Sequence, residues 1–167
     1  MTLFAKPLLL VAAIGLAACS GPDRFGAESG ADFGAAGAPG SAADPRSPAY
    51  FQQAIGDRVL FAVDQSTLSD AARATLEGQA RWLISNTDYS AVIEGHADEQ
   101  GTREYNLALG ARRASAVQEF LVERGISPAR LRTVSYGKER PLEICSEESC
   151  YAQNRRAVTV IAAGGTS

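Results

Sequence analysis

Asp98, Asn106 and Arg113 are the residues of this 167-residue chain whose types and spacing suggest chemistry. They lie in V-I-E-G-H-A-D-E-Q-G-T-R-E-Y-N-L-A-L-G-A-R-R-A-S-A-V-Q-E-F, residues 92–120. An arginine presents a planar fork that suits a carboxylate, and an aspartate suits an ammonium. Together they would clamp a zwitterion such as an amino-acid head group. The turn Glu99-Gln100-Gly101-Thr102 opens a helix, whose first N–H groups add donors for an anion. The same two charges are also satisfied if they bridge each other or stay solvated, and spacing alone favours that reading, because exposed helix charges contribute little. His96 invites a hydrolase reading with Asp98, since strand alternation puts both on one face. No serine or cysteine stands near them as a nucleophile, and no metal set accompanies the single histidine, so a packed histidine in a non-enzyme is the expectation.

The elements that must position these residues follow from periodicity. Residues 58–63 (R-V-L-F-A-V) form an apolar run with β-branched and aromatic members, which predicts a buried strand. Ser69 is an N-cap candidate, and Ala72, Leu76, Ala80 and Leu83 recur at helical spacing up to Ser85, with Trp82 and Ile84 widening the apolar face. Tyr89 to Ala97 is the next strand, with Gly95 permitting close approach by another group. The second helix starts around Thr102 to Glu104. Leu107, Gly110, Ala114, Val117 and Leu121 form its buried series, and Asn106, Gly110 and Arg113 form a flanking stripe that sets Arg113 at the helix edge, towards Asp98. Arg124-Gly125 ends that helix. Leu131 to Tyr136 and Arg156 to Ala162 are further strands, separated by a polar excursion over residues 137–153. The order predicts an α+β two-layer sandwich, a roughly four-stranded mixed sheet with two main helices on one face.

The N-terminus is of another kind. A charged start, an apolar run from Leu8 to Leu16 and then Leu16-Ala17-Ala18-Cys19 give residues 1–18 the form of a secretory signal, too short to span a bilayer as a mature helix. The four residues ending in Cys19 resemble the lipobox of bacterial lipoproteins, whose cysteine carries an S-diacylglycerol and an N-acyl group. Ser20 resembles the residue of lipoproteins sent to the outer membrane. Acyl chains together suffice for stable anchoring. Residues 19–48, rich in Gly, Ala, Ser, Pro and Asp, lack the apolar surface to offset ordering entropy and read as a flexible tether. Residues 49–163 are the folded domain and 164–167 a tail. Lipidation of Cys19 leaves Cys145 and Cys150, which in an exported protein form most simply a disulfide. A net charge of -3 offers no basic footprint for nucleic acid, so no nucleic-acid partner is expected.

E-G-H-A-D-E-Q-G-T-R-E-Y-N-L-A-L-G-A-R-R-A-S-A-V resembles the signature of OmpA-like peptidoglycan-binding domains, as do L-R-T-V-S-Y-G-K-E-R-P (131–141) and Q-N-R-R-A-V (153–158). The likeness runs from about Val59 to Ile161. It implies non-covalent binding of peptidoglycan through the diaminopimelate of an uncrosslinked stem peptide, with no cofactor beyond the lipid. By resemblance Asp98 pairs with the ligand ammonium and Arg113, rather than Arg112, clamps its carboxylate. Asn106, Leu109, Glu99 and Gly101 match the pocket wall. Asp64 matches an aspartate after the first strand, and Asn154 with Arg155 matches the segment entering the last one. Ala97 stands where the family commonly has threonine, and Val63 where it often has an aromatic. The lipid-anchored members of the family imply a place on the periplasmic face of the outer membrane, with TolB and other Tol–Pal components as partners, in envelope integrity and constriction at division. A wall-binding lipoprotein without TolB and a wall hydrolase are the alternatives.

Overall fold

The computed structural model describes residues 38–163 apart from 145. The expected signal peptide, Cys19, most of the expected tether and the tail at 164–167 lie outside these residues, as does Cys145. Residues 38–48, which composition assigns to the tether, instead form successive turns that pack on the domain. Ser41 N, Asp44 N and Ser47 N donate to the carbonyls of Ala38, Ser41 and Asp44, and Ser47 is buried. The physical reason is Trp82: its indole N–H needs an acceptor once buried, and the Pro45 carbonyl supplies one at 2.8 Å. The chain then enters α1 (Pro48–Tyr50), capped by the Ser47 hydroxyl, and a π-helical segment (Phe51–Gly56) that sequence periodicity did not foresee. Phe51 has no exposure and meets Trp82 edge-on, with ring centroids 5.0 Å apart.

The remaining elements are β1 (Arg58–Leu60), α2 (Asp70–Ser85), β2 (Tyr89–His96), α3 (Arg103–Glu123), β3 (Leu131–Gly137), α4 (Glu148–Asn154) and β4 (Arg156–Ala163). The helix starts fall where capping chemistry predicts. Ser69 Oγ accepts from Ala72 N and Thr102 Oγ1 from Tyr105 N. Gly125, with φ of +94°, ends α3, and Ile126 N reaches back to the Leu121 carbonyl. The four strands form one mixed sheet in the order β1-β4-β2-β3, with β2 parallel to β3 and β4 antiparallel to both of its neighbours. The fold is therefore α+β, and α2 and α3 share one core with Val59, Ala91, Ile93, Leu131 and Ala157 of the sheet.

Four expectations are corrected. The first strand stops at Leu60, three residues short of Val63. The second helix buries Asn106, Leu109, Gly110, Arg113, Ala114, Val117, Phe120 and Leu121, whereas Leu107 is 49% exposed. Its inward stripe is thus rotated so that polar residues, not Leu107, face in at its N-terminal end. Ile84, expected on the apolar face of α2, is likewise exposed. Finally, the polar excursion contains α4, whose seven residues are too few to show helical periodicity.

The contact between α3 and β2 is unusually close. A Cβ placed on Gly95 would lie 1.8 Å from the Gly110 carbonyl oxygen, and one on Gly110 would lie 2.4 Å from Ser135 Oγ. Two glycines facing each other let the helix backbone rest on the strand. That contact fixes the height of Arg113, one turn further along α3, relative to the end of β2.

Candidate functional site

The chain leaves β2 at His96, and Ala97 N still donates to the Gly137 carbonyl at 2.8 Å, so Asp98 begins its turn from a held position. Asp98 is buried to about nine-tenths. Its Oδ1 accepts from Gln100 N at 3.2 Å, an Asx-type contact that shapes the turn. Its Oδ2 accepts from Arg155 Nη1 at 3.1 Å. The direct bridge between Asp98 and Arg113, one of the arrangements that spacing allows, does not form.

Arg113 is fully buried, in place of the helix-edge position expected of it. Its guanidinium donates to three backbone carbonyls: Nε to Gln65 at 2.8 Å, Nη1 to His96 at 2.8 Å and Nη2 to Ala62 at 3.1 Å. Here lies the reason for the early end of β1, since the carbonyls of residues 62 and 65 turn away from the sheet to face this cation. Asp64, between them, takes a left-handed φ of +56°, which an aspartate tolerates better than most residues. The Phe61 ring lies 5.2 Å beneath the guanidinium. Burial pushes the Arg113 pKa down to about 10, against the nearby Asp98 carboxylate, which raises it. The group stays charged at neutral pH. Among the described residues no carboxylate stands within ion-pair distance of it, and one N–H on each terminal nitrogen has no hydrogen bond.

The rest of the predicted set gathers around these two residues. Asn106 Nδ2 donates to the Gln100 carbonyl at 2.7 Å and braces the turn from α3. Gly101 has φ of +87°, and a Cβ there would touch Tyr105 and Asn106. Leu109 is buried yet lies outside the main hydrophobic cluster. Asn154 is fully buried and saturated: Oδ1 accepts from Leu142 N and Glu143 N, while Nδ2 donates to Glu99 Oε1 at 2.7 Å and to the Glu143 carbonyl. Glu99 Oε2 is buried without a partner. Asp64 belongs to the rim, where Oδ1 accepts from the Tyr105 hydroxyl at 3.1 Å. Lys138 Nζ closes the turn from β3 by donating to the Gly101 carbonyl at 2.7 Å.

Arg155 is the hinge of the arrangement. Its Nε donates to the Phe61 carbonyl at 3.3 Å, Nη1 reaches Asp98, and Nη1 and Nη2 both donate to Glu148. Burial alone would lower its pKa, but Glu148 and Asp98 together outweigh that and hold it above its ordinary value. Sequence reasoning missed Glu148, Tyr105 and Lys138. Tyr105 lay inside the motif, one residue from Asn106. Lys138 likewise lay inside the quoted 131–141 stretch without being singled out, whereas Glu148 carries no sequence signal, because its partner lies outside its helix.

His96 points elsewhere. Its imidazole is buried and packs on the Tyr136 ring at 5.5 Å, with Glu94 as the nearest carboxylate at 3.8 Å. Burial pushes its pKa down to about 4, helped by the positive charges of Arg156 and Arg140, with a weaker backbone contact at Arg140 acting the other way. Cys150, on α4, is disulfide-bonded.

A mixed four-stranded sheet, two helices on one face and a charged turn at the end of its second strand define a class of α+β domain. Residues 60–155 match the OmpA family. The chain is 48% identical to the peptidoglycan-associated lipoprotein of Mesorhizobium japonicum, over 95% of this chain and 92% of that one. It is 46% identical to the peptidoglycan-associated lipoprotein of Rhizobium meliloti, over 95% and 88%. The crystal structure of the peptidoglycan-associated lipoprotein from Burkholderia pseudomallei superimposes with a TM-score of 0.64 at 39% identity, covering 71% of this chain and 97% of that one. The chain belongs to the OmpA family, and its relatives over nearly its whole length are peptidoglycan-associated lipoproteins.

Proposed function

We propose that this domain binds peptidoglycan non-covalently, as a wall anchor and not as an enzyme. The ligand is the diaminopimelate of an uncrosslinked stem peptide, which offers an ammonium and a carboxylate on one carbon. Asp98 takes the ammonium and Arg113 the carboxylate, while Asn106, Leu109, Glu99, Gly101, Asp64, Asn154 and Arg155 form and hold the wall of the site. The observation that carries this reading is Arg113, a buried cation with one N–H on each terminal nitrogen unbonded and no carboxylate partner among the described residues, bonded to the His96 carbonyl two residues before Asp98. A buried guanidinium satisfied only by neutral carbonyls is a standing demand for an anion. The relatives' name supports peptidoglycan as the partner.

The wider reading places the mature chain on the periplasmic face of the outer membrane, held by a lipid on Cys19, with TolB and other Tol–Pal components as partners in envelope integrity and constriction. The lipobox and the relatives' lipoprotein names support the anchor, and likeness to those relatives alone supports the partners. The decisive experiment is co-sedimentation of the full chain with purified sacculi. Asp98→Asn keeps shape and removes the charge, and it is expected to weaken binding at least tenfold, about the worth of one charge-assisted hydrogen bond. Wild-type binding by that variant would remove the clamp.

A further inference from the structure

We infer that Glu148 is a positioning residue for wall binding: it holds Arg155 so that Asp98 can be given over to an incoming ammonium. This rests on the wall-binding reading above. In the unliganded domain Asp98 is already paired, through a single contact from Arg155 Nη1 at 3.1 Å. A ligand ammonium must replace that contact. If Arg155 had no other partner, the exchange would strand a guanidinium that is only 5% exposed, and an uncompensated buried charge is costly. Glu148 removes that difficulty. Its carboxylate takes both Nη1 and Nη2 of Arg155, so the guanidinium keeps two charged contacts when it gives up one. The Phe61 carbonyl holds Nε in place throughout.

The placement of Glu148 fits the task. It sits in the first turn of α4, where a carboxylate is favoured by the helix dipole, and its side chain is 67% exposed while Arg155 is buried. The helix that carries it is tied by the disulfide at Cys150 and ends at the saturated Asn154, so its position against Arg155 is held from both ends. The arrangement is asymmetric in the useful sense. Glu148 grips Arg155 with two oxygens from the solvent side, and Asp98 touches it with one from the site side.

The test uses the full chain in detergent micelles and the tripeptide L-alanyl-D-glutamyl-meso-diaminopimelate, titrated calorimetrically, with purified sacculi in parallel. Glu148→Gln is expected to lower affinity for the tripeptide about tenfold, the scale of one charge-assisted hydrogen bond, and Glu148→Asp to restore most of it. In an Arg155→Gln background the Glu148→Gln change is expected to have no further effect, because the group it holds is gone. A merely structural Glu148 would lower affinity equally in both backgrounds. Unchanged affinity in Glu148→Gln, or an equal loss in the Arg155→Gln background, overturns the inference while leaving wall binding intact. A wild-type chain that binds neither tripeptide nor sacculi removes the wall-binding reading and this one together.

Discussion

Arg113 and His96 show how differently two buried basic residues can be treated by one fold. The guanidinium keeps its charge by collecting three carbonyls, whereas the imidazole gives its charge up. With a folded pKa near 4 against 6.5 for a free histidine, His96 is neutral in the folded domain at neutral pH. Below pH 6.5 the unfolded chain takes up a proton that the folded chain refuses until about pH 4. Stability is therefore full above 6.5 and lost as pH falls through that window, by about 3 kcal/mol in all. Urea midpoints at pH 7 and pH 4.5 measure it, and in His96→Gln the fall between them is expected to shrink by most of this amount. An equal fall in both proteins would mean that other groups carry the acid sensitivity. At this scale the sequence disclosed Asp98 and Arg113 by type and spacing. It could not disclose that Asp98 turns to Arg155, 57 positions away, because side-chain pairing across elements leaves no local pattern. Nor could it show Arg113 buried, since arginine is expected outside unless something pays for its desolvation.

Among the elements, α3 and β2 set the geometry, and the glycine pair between them is the critical contact. Gly110→Ala puts a methyl into space occupied by Ser135 and the Gly95 backbone, and backbone cannot yield as a side-chain end can. The expected cost is about 3 kcal/mol, at the upper end for overpacking, read as a lowered urea midpoint at pH 7. Stability equal to wild type would mean that α3 can slide on the sheet. The helix boundaries were legible because caps are local: Ser69 and Thr102 each bond an N–H three residues on. The early end of β1 was not, because what stops it is a guanidinium presented by another element. The rotated stripe of α3 has the same origin, since its first turns face the polar turn at residues 97–102 and only the later ones face the apolar core. In α4 the difficulty was length, and a polar seven-residue helix held by a disulfide and by Asn154 need not advertise itself.

Composition marked residues 19–48 as tether, but composition counts only apolar content and cannot see one indole N–H drawing Pro45 onto the domain. If the chain is lipid-anchored as proposed, Cys19→Ala expressed in its own cell is expected in the soluble periplasmic fraction, with the wild type in the membrane fraction. Persistent sedimentation of the variant with membranes, after removal of sacculi by lysozyme, would defeat the lipid assignment. Anchor and wall site, on the proposed reading, work as a pair.

That pairing gives the latch at Trp82 a mechanical meaning. The indole that holds Pro45 also packs against Tyr89, at the start of β2, with ring centroids 5.2 Å apart, whereas Asp98 lies just past its end. Eight residues of strand separate the two by roughly 25 Å. Tension between leash and wall would run lengthwise along β2, which is bonded on both sides, to β3 and β4. Ladders loaded in this direction share the force over many hydrogen bonds at once instead of opening one by one. On the proposed reading, the entry point of the chain would make the central strand the tie-rod of the domain.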